Sequence, residues 1–460
     1  MIPLHARVAA IDDNEDHLQK IVWGLGKAGF CPIPFFFDDG KLENEPQQPL
    51  PGIRIVFTDI HMIYGGVNNT KTHAANIIRC LRKIVGSGPY ALIFWSQFPD
   101  DSDGIAALIE ARAAEAGLTP PIGHASVDKK EVFKVTAENG DEAFDPGKLR
   151  DLILDSIRGF KTLAVASSWE ERVGQAGART TNRLFDLVKG ATQPGDEWEG
   201  LLAYLACEAV GVDEARADLT KALDAALLPL LEDQLTLMGS QPAPSAEDVR
   251  RLMDRIPAEG RPQRPASTSL WHLNTSYLIE EVSHDALGRM WDRGMVYELG
   301  SAYVDSGPFV RAFGLEASSL IHQEFATRKL KDEERRRANL HVVEIGPECD
   351  HVQGKVVTHR YLLALLVPAD LLEAFVEKSK KSNNVRYSNE SIVDVGEIAL
   401  REVPDSPWHL LISCRSFMTL AAKTEVEGRC RFRLRRTLLE EVVHRYVTHA
   451  RRPGVMRFRA

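Results

Sequence analysis

The chain has 460 residues, and this length predicts two to four domains, because a domain typically contains roughly 100–200 residues. Hydrophobic residues make up 44% and charged residues 26%, a balance that excludes a largely disordered chain. The 56 basic and 65 acidic side chains give a net charge of −9, which argues against a surface built throughout for nucleic acid or an anionic membrane.

The spacing of the cysteines and the length of the apolar runs indicate the cellular compartment. No C-x-x-C pair occurs, so neither a disulfide framework nor a standard zinc finger is indicated. Acids stand among the first residues where a signal peptide has an apolar core, and no later run reaches about 18 apolar residues. We therefore expect a cytoplasmic protein with no membrane contact.

Short apolar runs alternate with amphipathic stretches through the first part of the chain. The runs are RVAAI, PIPFFF, IRIVF, YALIF and IGHASV. This alternation predicts a five-stranded parallel α/β domain over residues 1–145.

The rest of the chain divides by composition. Residues 146–256 have an almost wholly helical pattern, and the Pro-rich stretch 257–269 is the clearest linker. Residues 270–460 contain the strand candidates LHVVEI, YLLALLV, WHLLISC and RCRFRL, followed by TLLEEVVHRYVTHA, which predicts a terminal helix. The fold class expected is an α/β + α + β multidomain protein with a small barrel-like C-terminal domain.

Acidic, hydroxyl and basic side chains follow the predicted strands of the first domain. Asp12 and Asp13 come after the first strand, Asp59 after the third, Ser96 after the fourth and Lys129 after the fifth. Ligands of parallel sheets bind beyond the carboxyl ends of the strands. Three carboxylates that meet there repel one another unless a cation is shared, and oxygen ligands of this kind suit Mg²⁺.

Residues 5–135 resemble a receiver domain of the two-component response-regulator family, which has this order of acid pair, single Asp, Ser or Thr, and Lys. The resemblance implies a flavodoxin-like fold, with Asp59 as phosphoacceptor. It implies that Mg²⁺ is held by Asp12, Asp13, Asp59 and the backbone carbonyl of His61. It also implies that Ser96 hydrogen-bonds the phosphoryl group and that Lys129 pairs with it.

The resemblance also implies partners. A histidine kinase would donate the phosphoryl group, and an effector protein would receive the signal, unless the chain acts as a phosphate buffer. Large receivers without a recognisable DNA-binding motif resemble those of bacterial anti-phage and conflict systems. Catalytic activity beyond autophosphatase activity is not expected.

Other interpretations of the same residues stay open. An acid or Asn14 after the first strand can simply cap the first helix. Lys130 can replace Lys129. A phosphatase of the haloacid-dehalogenase type is disfavoured, because its second acid would stand at the position of His61.

A second cluster of polar residues lies within LHVVEIGPECDHVQGKVVTHRYLL. A strand, a turn at Gly346-Pro347 and a second strand can bring some of them together as metal ligands. A thiolate at Cys349 with His351 or His359 as base is a further alternative, and a metal- or thiol-dependent hydrolase would follow from either. A polar turn in which Glu348 or Asp350 bonds backbone amides is the favoured interpretation. The candidate ligands are His341, Glu344, Cys349, Asp350, His351 and His359.

Arginines 429, 431, 433 and 435 alternate with other residues and are expected to line one face of a strand. Arginine binds phosphate and pairs with carboxylates, so this patch can hold nucleic acid, an acidic partner or the first domain itself. It can also protect an edge strand from aggregation. The competing class is therefore a nucleic-acid- or protein-binding regulator with a vestigial receiver, although nucleic acid is not favoured.

Overall fold

The computed structural model describes residues 7–38, 40–62, 69–135, 142–237, 246–260, 262–282, 289–378, 385–387, 390–422 and 424–451. The chain divides into two compact units. The first comprises Met1–Ala178 and Leu235–Gly260, and the second comprises Arg179–Gln234 and Arg261–Ala460.

The first unit contains the α/β sheet that the alternating pattern predicts. Its strands are β1 (Val8–Asp12), β2 (Pro32–Asp38), β3 (Lys41–Leu42), β4 (Ile55–Thr58), β5 (Ala91–Ser96) and β6 (His124–Asp128). The sheet order is β3-β2-β1-β4-β5-β6, and every pairing except that of β2 with β3 is parallel. All five expected strands are present, and their order is compatible with a flavodoxin-like fold.

Helices cover both faces of this sheet. They are α1 (Glu15–Lys27), α2 (Thr70–Ile84), α3 (Ser102–Ala113), α4 (Lys129–Val132) and α5 (Pro146–Arg158), with a 3₁₀ turn at Pro99–Asp101 and a separate antiparallel pair of β7 (Phe133–Val135) and β8 (Glu142–Phe144). Apolar residues of α2 and α3 share one core with one face of the sheet, and those of α1 and α5 share a core with the other. The sheet is therefore buried on both sides, which explains why its strands are continuous apolar runs.

Helix α5 packs against the sheet, although its residues lie in the stretch 146–256 that is predicted as the helical middle segment. Leu149 and Ile153 are fully buried in the core that α1 shares. Gly24 permits this packing, because a Cβ there would lie 2.3 Å from Cδ2 of Leu149.

The middle of the chain is helical, as predicted. Its helices are α6 (Lys161–Phe185), α7 (Pro194–Val210), α8 (Val212–Ala217), α9 (Leu219–Leu237) and α10 (Ala246–Met253). A small core of Ala206, Val210, Ala215 and Ala222 joins α7, α8 and α9. Among the described residues, no helix has both the length and the apolar character needed to cross a bilayer.

The remainder of the second unit is β-rich, as predicted. Its strands are β9 (Ile279–Glu281), β10 (Met295–Leu299), β11 (Asn339–Glu344), β12 (Thr358–Pro368), β13 (Val376–Lys378), β14 (Val385–Tyr387), β15 (Ile392–Leu400), β16 (Val403–Ala421) and β17 (Gly428–Leu434). Its helices are α11 (Leu270–Leu278), α12 (Ser301–Val304), α13 (Gly307–Phe313), α14 (Ala317–Glu324), α15 (Asp332–Arg336), α16 (Glu348–Val352) and α17 (Arg436–Ala450), with a 3₁₀ turn at Ala369–Ala374.

Seven of these strands form one antiparallel sheet in the order β15-β16-β12-β11-β10-β17-β9. The sheet is a curled half-barrel with β15 and β9 at its edges, and β13 pairs with β14 separately. The predicted terminal helix is α17. Helices α11–α15 were expected only as unspecified additions, because they are too short to show a clear helical period.

Candidate acidic site at the strand ends

The parallel strands bring the predicted site residues to one edge of the first sheet. Asp12 is the last residue of β1, Asp59 directly follows β4, and Lys129 directly follows β6. The register pairs Ile11 with Thr58 in the neighbouring strands, so the ends of β1 and β4 are level. Remote positions in sequence therefore meet at the carboxyl edge, as the sequence predicted.

Lys129 lies at the centre of the site. Its Nζ is 2.8 Å from Oδ2 of Asp12 and 3.0 Å from Oδ2 of Asp59. The lysine side chain is only 1% exposed and that of Asp12 is fully buried. Burial weakens solvent screening, so the Coulombic attraction in these two contacts is stronger than in surface ion pairs, although desolvation of the charges offsets part of it.

Of the two carboxylates that contact Lys129, Asp59 is the one that reaches solvent. Its side chain is 12% exposed, whereas those of Asp12 and Lys129 are closed to solvent. Its Oδ1 accepts a 2.7 Å hydrogen bond from the backbone N–H of Ile60, and its Oδ2 faces Lys129. The carboxylate is therefore held in one orientation with one edge accessible.

The acid pair at the end of β1, Asp12 and Asp13, is destabilised electrostatically. Burial raises the pKa of Asp12, Lys129 opposes that shift, and the charge of Asp59 adds to it. Burial, followed by the charge of Asp59, raises the pKa of Asp13 to about 6. A positive charge added between these carboxylates would relieve both shifts.

The donor set fits a divalent cation with oxygen ligands. Asp12, Asp13 and Asp59 each offer a carboxylate oxygen, and these atoms lie within 4.8 Å of one another. Oxygen donors at this spacing suit Mg²⁺. The His61 side chain points to Asp101, with Nε2 and Oδ2 3.3 Å apart, and the role of its backbone carbonyl stays a prediction.

The structure also bears on two alternatives from the sequence, namely helix capping by the acids and Lys130 in place of Lys129. Asn14 caps α1 by accepting the N–H of His17 at 3.2 Å, so capping does not account for Asp12 or Asp13. The ammonium of Lys130 lies 5.3 Å from the centre of the Phe98 ring, whereas Lys129 contacts two of the acids. Lys129 is thus the lysine of the site.

Ser96 is fully buried at the end of β5, next to Asp128 of β6 in the sheet register. Its hydroxyl oxygen accepts the N–H of Phe98 at 3.2 Å. Its predicted hydrogen bond to a phosphoryl group stays a prediction.

Sequence reasoning missed two residues that surround Lys129. The Nζ atom lies 3.3 Å from Nδ1 of His17 and 5.7 Å from the centre of the Trp95 ring. Trp95 directly precedes Ser96 in the sequence, so its position near the end of β5 could have identified it as a neighbour of the site. No sequence pattern identifies His17, because the direction of its side chain depends on the first turn of α1.

The structure brings together three of the six C-terminal candidates, namely Glu344, His351 and His359. Cys349 is exposed, and its Sγ lies 3.5 Å from Oδ1 of Asp350. Buried His341 has its Nδ1 2.9 Å from the carbonyl oxygen of Asn339. The amide of Gly346 in the turn donates to Glu344, and not to Glu348 or Asp350, the two acids that the polar-turn interpretation pairs with backbone amides.

The arginines of β17 contact glutamates of the same unit. Arg429 pairs with Glu298 at 2.6 Å and Arg431 with Glu402 at 2.8 Å. Arg433 pairs with Glu280 at 2.6 Å. These pairs favour the interpretation of an acidic partner within the chain over a patch for nucleic acid.

Comparison with protein-family models, with curated proteins and with solved structures found no match for this chain. The fold and the site together define an α/β unit with a buried lysine between two carboxylates at the carboxyl edge of its sheet.

Proposed function

We propose that this protein is a phosphorelay receiver whose Asp59 accepts a phosphoryl group from a histidine kinase in the presence of Mg²⁺. The contact of Lys129 with both Asp12 and Asp59 carries the proposal. A buried ammonium beside an accessible, oriented carboxylate supplies charge where a transferred phosphoryl group would need it.

The proposed step is a displacement at phosphorus. An oxygen of Asp59 attacks the phosphorus atom of a phosphohistidine, an O–P bond forms, and the P–N bond breaks. The electron pair of that bond returns to the imidazole of the kinase, which takes a proton from solvent. The product is an acyl phosphate on Asp59.

Other residues of the pocket have supporting parts in this proposal. Asp12, Asp13, Asp59 and the His61 carbonyl would hold Mg²⁺, which when bound supplies positive charge to the oxygens of the transferring group. Lys129 would exchange its contact with Asp59 for one with a phosphoryl oxygen, and Ser96 would donate a hydrogen bond to another. This exchange is the change in the pocket that a downstream element can detect.

The second unit would either pass the signal to an effector protein or serve as a phosphate store, and a place in anti-phage defence stays a prediction from the resemblance. Because the β17 arginines are paired with glutamates, a regulator that binds nucleic acid through them is not the function we propose.

The experiment incubates the full chain with Mg²⁺ and a small acyl-phosphate donor and measures the intact mass. We expect an adduct of roughly 80 Da that hydroxylamine removes, as an acyl phosphate requires. Asp59→Asn should abolish it. Asp16→Asn is the matched control, because Asp16 lies exposed on α1 and pairs with Lys20 outside the site. Absence of the adduct, or its persistence in Asp59→Asn, would reject the proposal.

A further inference from the structure

The second unit contains a buried group of two histidines and one glutamate that the proposed function does not use. Glu344 is fully buried, His359 is 4% exposed, and the His351 side chain is 15% exposed. We infer that Glu344, His351 and His359 form a binding site for a single divalent transition-metal ion, independent of the receiver function.

Two adjacent strands and a short helix build this group. In the register of β11 with β12, Glu344 lies opposite Tyr361, and His359 is two residues before Tyr361 on the same face. Diagonal neighbours on one face of an antiparallel pair are within reach of long side chains. His351 comes from α16, which follows the turn after Glu344 and places the imidazole over the same point.

The distances match those between ligands of one metal ion. Nε2 of His351 lies 3.0 Å from Oε2 of Glu344, and Nδ1 of His359 lies 3.2 Å from Oε1. One ligand atom from each residue lies within 4.8 Å of the other two. A tetrahedral zinc ion with ligands at about 2.1 Å separates them by roughly 3.4 Å, which is close to the distance from the glutamate to each histidine.

Two of the ligand atoms lack hydrogen bonds in the described part of the chain. Oε2 of Glu344 and Nε2 of His351 are both buried, and despite their proximity neither makes a hydrogen bond of acceptable geometry. Buried polar atoms are normally hydrogen-bonded, so a carboxylate oxygen and an imidazole nitrogen without hydrogen bonds here are available to ligate a cation.

Surrounding contacts orient the glutamate. The N–H of Gly346 donates to Oε1 of Glu344 at 3.0 Å, and Nε of Arg293 donates to the carbonyl of Gly346 at 3.0 Å. A Cβ on residue 346 would lie 2.6 Å from Oε1 of Glu344 and 2.8 Å from Nε2 of His351. The turn thus fits closely around the ligand atoms, and its amide fixes the carboxylate as outer-shell groups do at metal sites.

The donor set indicates the class of metal site. Two imidazoles and one carboxylate suit zinc or iron(II) better than Mg²⁺ or Ca²⁺, and three protein ligands leave a coordination position open. His351 and His359 line a cavity of about 950 Å³, whose lining carries both arginines and acids, among them Arg433 with Glu280 and Arg436 with Glu348. The open position would therefore take water from this cavity.

The test uses the full chain, stripped with a chelator and reloaded with Zn²⁺ in a large excess of Mg²⁺, which keeps the oxygen-only acidic site occupied. Elemental analysis after desalting should find about one equivalent of zinc. Co²⁺ in place of Zn²⁺ should give the visible absorption bands of a nitrogen-ligated ion. Both signals should be lost in His351→Ala and Glu344→Gln.

Control variants make the result decisive. His322→Ala removes an exposed histidine of the same unit, and Cys349→Ala removes the nearby thiol, so both should keep the metal. His351 is the least buried ligand, and its variant carries the test if Glu344→Gln fails to fold. Zinc retained equally by His351→Ala, no zinc in the wild-type chain, or zinc lost in Cys349→Ala would each overturn the inference.

Discussion

Nζ of Lys129 lies 3.0 Å from Oδ2 of Asp59, although the two residues belong to different strand ends of the first sheet. The same nitrogen is 2.8 Å from Oδ2 of Asp12, so one buried ammonium contacts two carboxylates. Removing that charge leaves both acids without a cationic partner, which is costly for buried groups. The pair is therefore both the structural centre of the pocket and the point at which phosphorylation would act.

Replacing Lys129 should impair phosphorylation, whereas replacing its neighbour should not. We expect Lys129→Met to slow formation of the acyl phosphate by roughly 10- to 100-fold, because a positive charge beside the transferring group is lost. Lys130→Met is the matched control, since Lys130 lies over the Phe98 ring outside the acid group. Rates from intact mass over time would measure both, and equal slowing in the two variants would contradict the assignment of Lys129.

The acid pair should make stability depend on pH. The pKa of Asp13 is about 6 in the folded protein and near 3.8 in the unfolded chain, so the folded state holds this proton more tightly. The stabilising contribution of protonated Asp13 to the free energy of unfolding is therefore fully present below about pH 4, and it is lost as the pH rises from 3.8 through 6. Asp13→Asn should reduce this loss and stabilise the protein by roughly 1 kcal/mol at neutral pH without Mg²⁺, after allowance for solvent screening.

Thermal unfolding near pH 5 and pH 7.5 would measure this effect. Added Mg²⁺ should raise the unfolding temperature of the wild-type chain more than that of Asp13→Asn, because a ligand bound only to the folded state stabilises it. Asp16→Asn provides a control for the loss of an acid outside the pocket. A destabilised Asp13→Asn variant at neutral pH would contradict the electrostatic argument.

A methyl group at residue 346 should weaken metal binding in the second unit. In Gly346→Ala the Cβ would lie 2.6 Å from Oε1 of Glu344, so the carboxylate must move. We expect a loss of affinity of about 10- to 100-fold, the usual effect of disturbing an outer-shell contact. Zn²⁺ titration with a competing chelator would measure it. Gly200→Ala adds the same methyl where no atom lies within 4 Å, and it should leave the affinity unchanged.

The arginines of β17 should differ in their contribution to stability. Arg431 is 9% exposed and contacts Glu402 and Glu298, so Arg431→Gln should cost about 1–3 kcal/mol. Arg433 and Glu280 are each about half exposed, so Arg433→Gln should cost under about 1 kcal/mol. Urea unfolding would compare them. Similar losses in both variants would show that burial of the Arg431 side chain does not determine the strength of its contacts.

The sequence predicted most of the first sheet because its strands are buried on both faces and appear as continuous apolar runs. It did not predict β9 or β10, which are short and carry glutamates at positions such as Glu298. Pairing with β17 stabilises both strands, and such pairing between remote segments leaves no local pattern. The sequence did not predict that α5 packs with α1 on the first sheet, because a helical pattern does not show which surface the helix covers.

For the acidic site, the sequence determined which residue types follow which strand, because parallel strands carry their ends to a common edge. Only the tertiary structure decided that Lys129 and not Lys130 enters the pocket, since the start of α4 sends successive side chains in different directions. In the second unit, the sequence supplied six candidate ligands. The alternation of side chains along β11 and the position of α16 selected Glu344, His351 and His359, because direction on a strand or helix depends on the folded backbone.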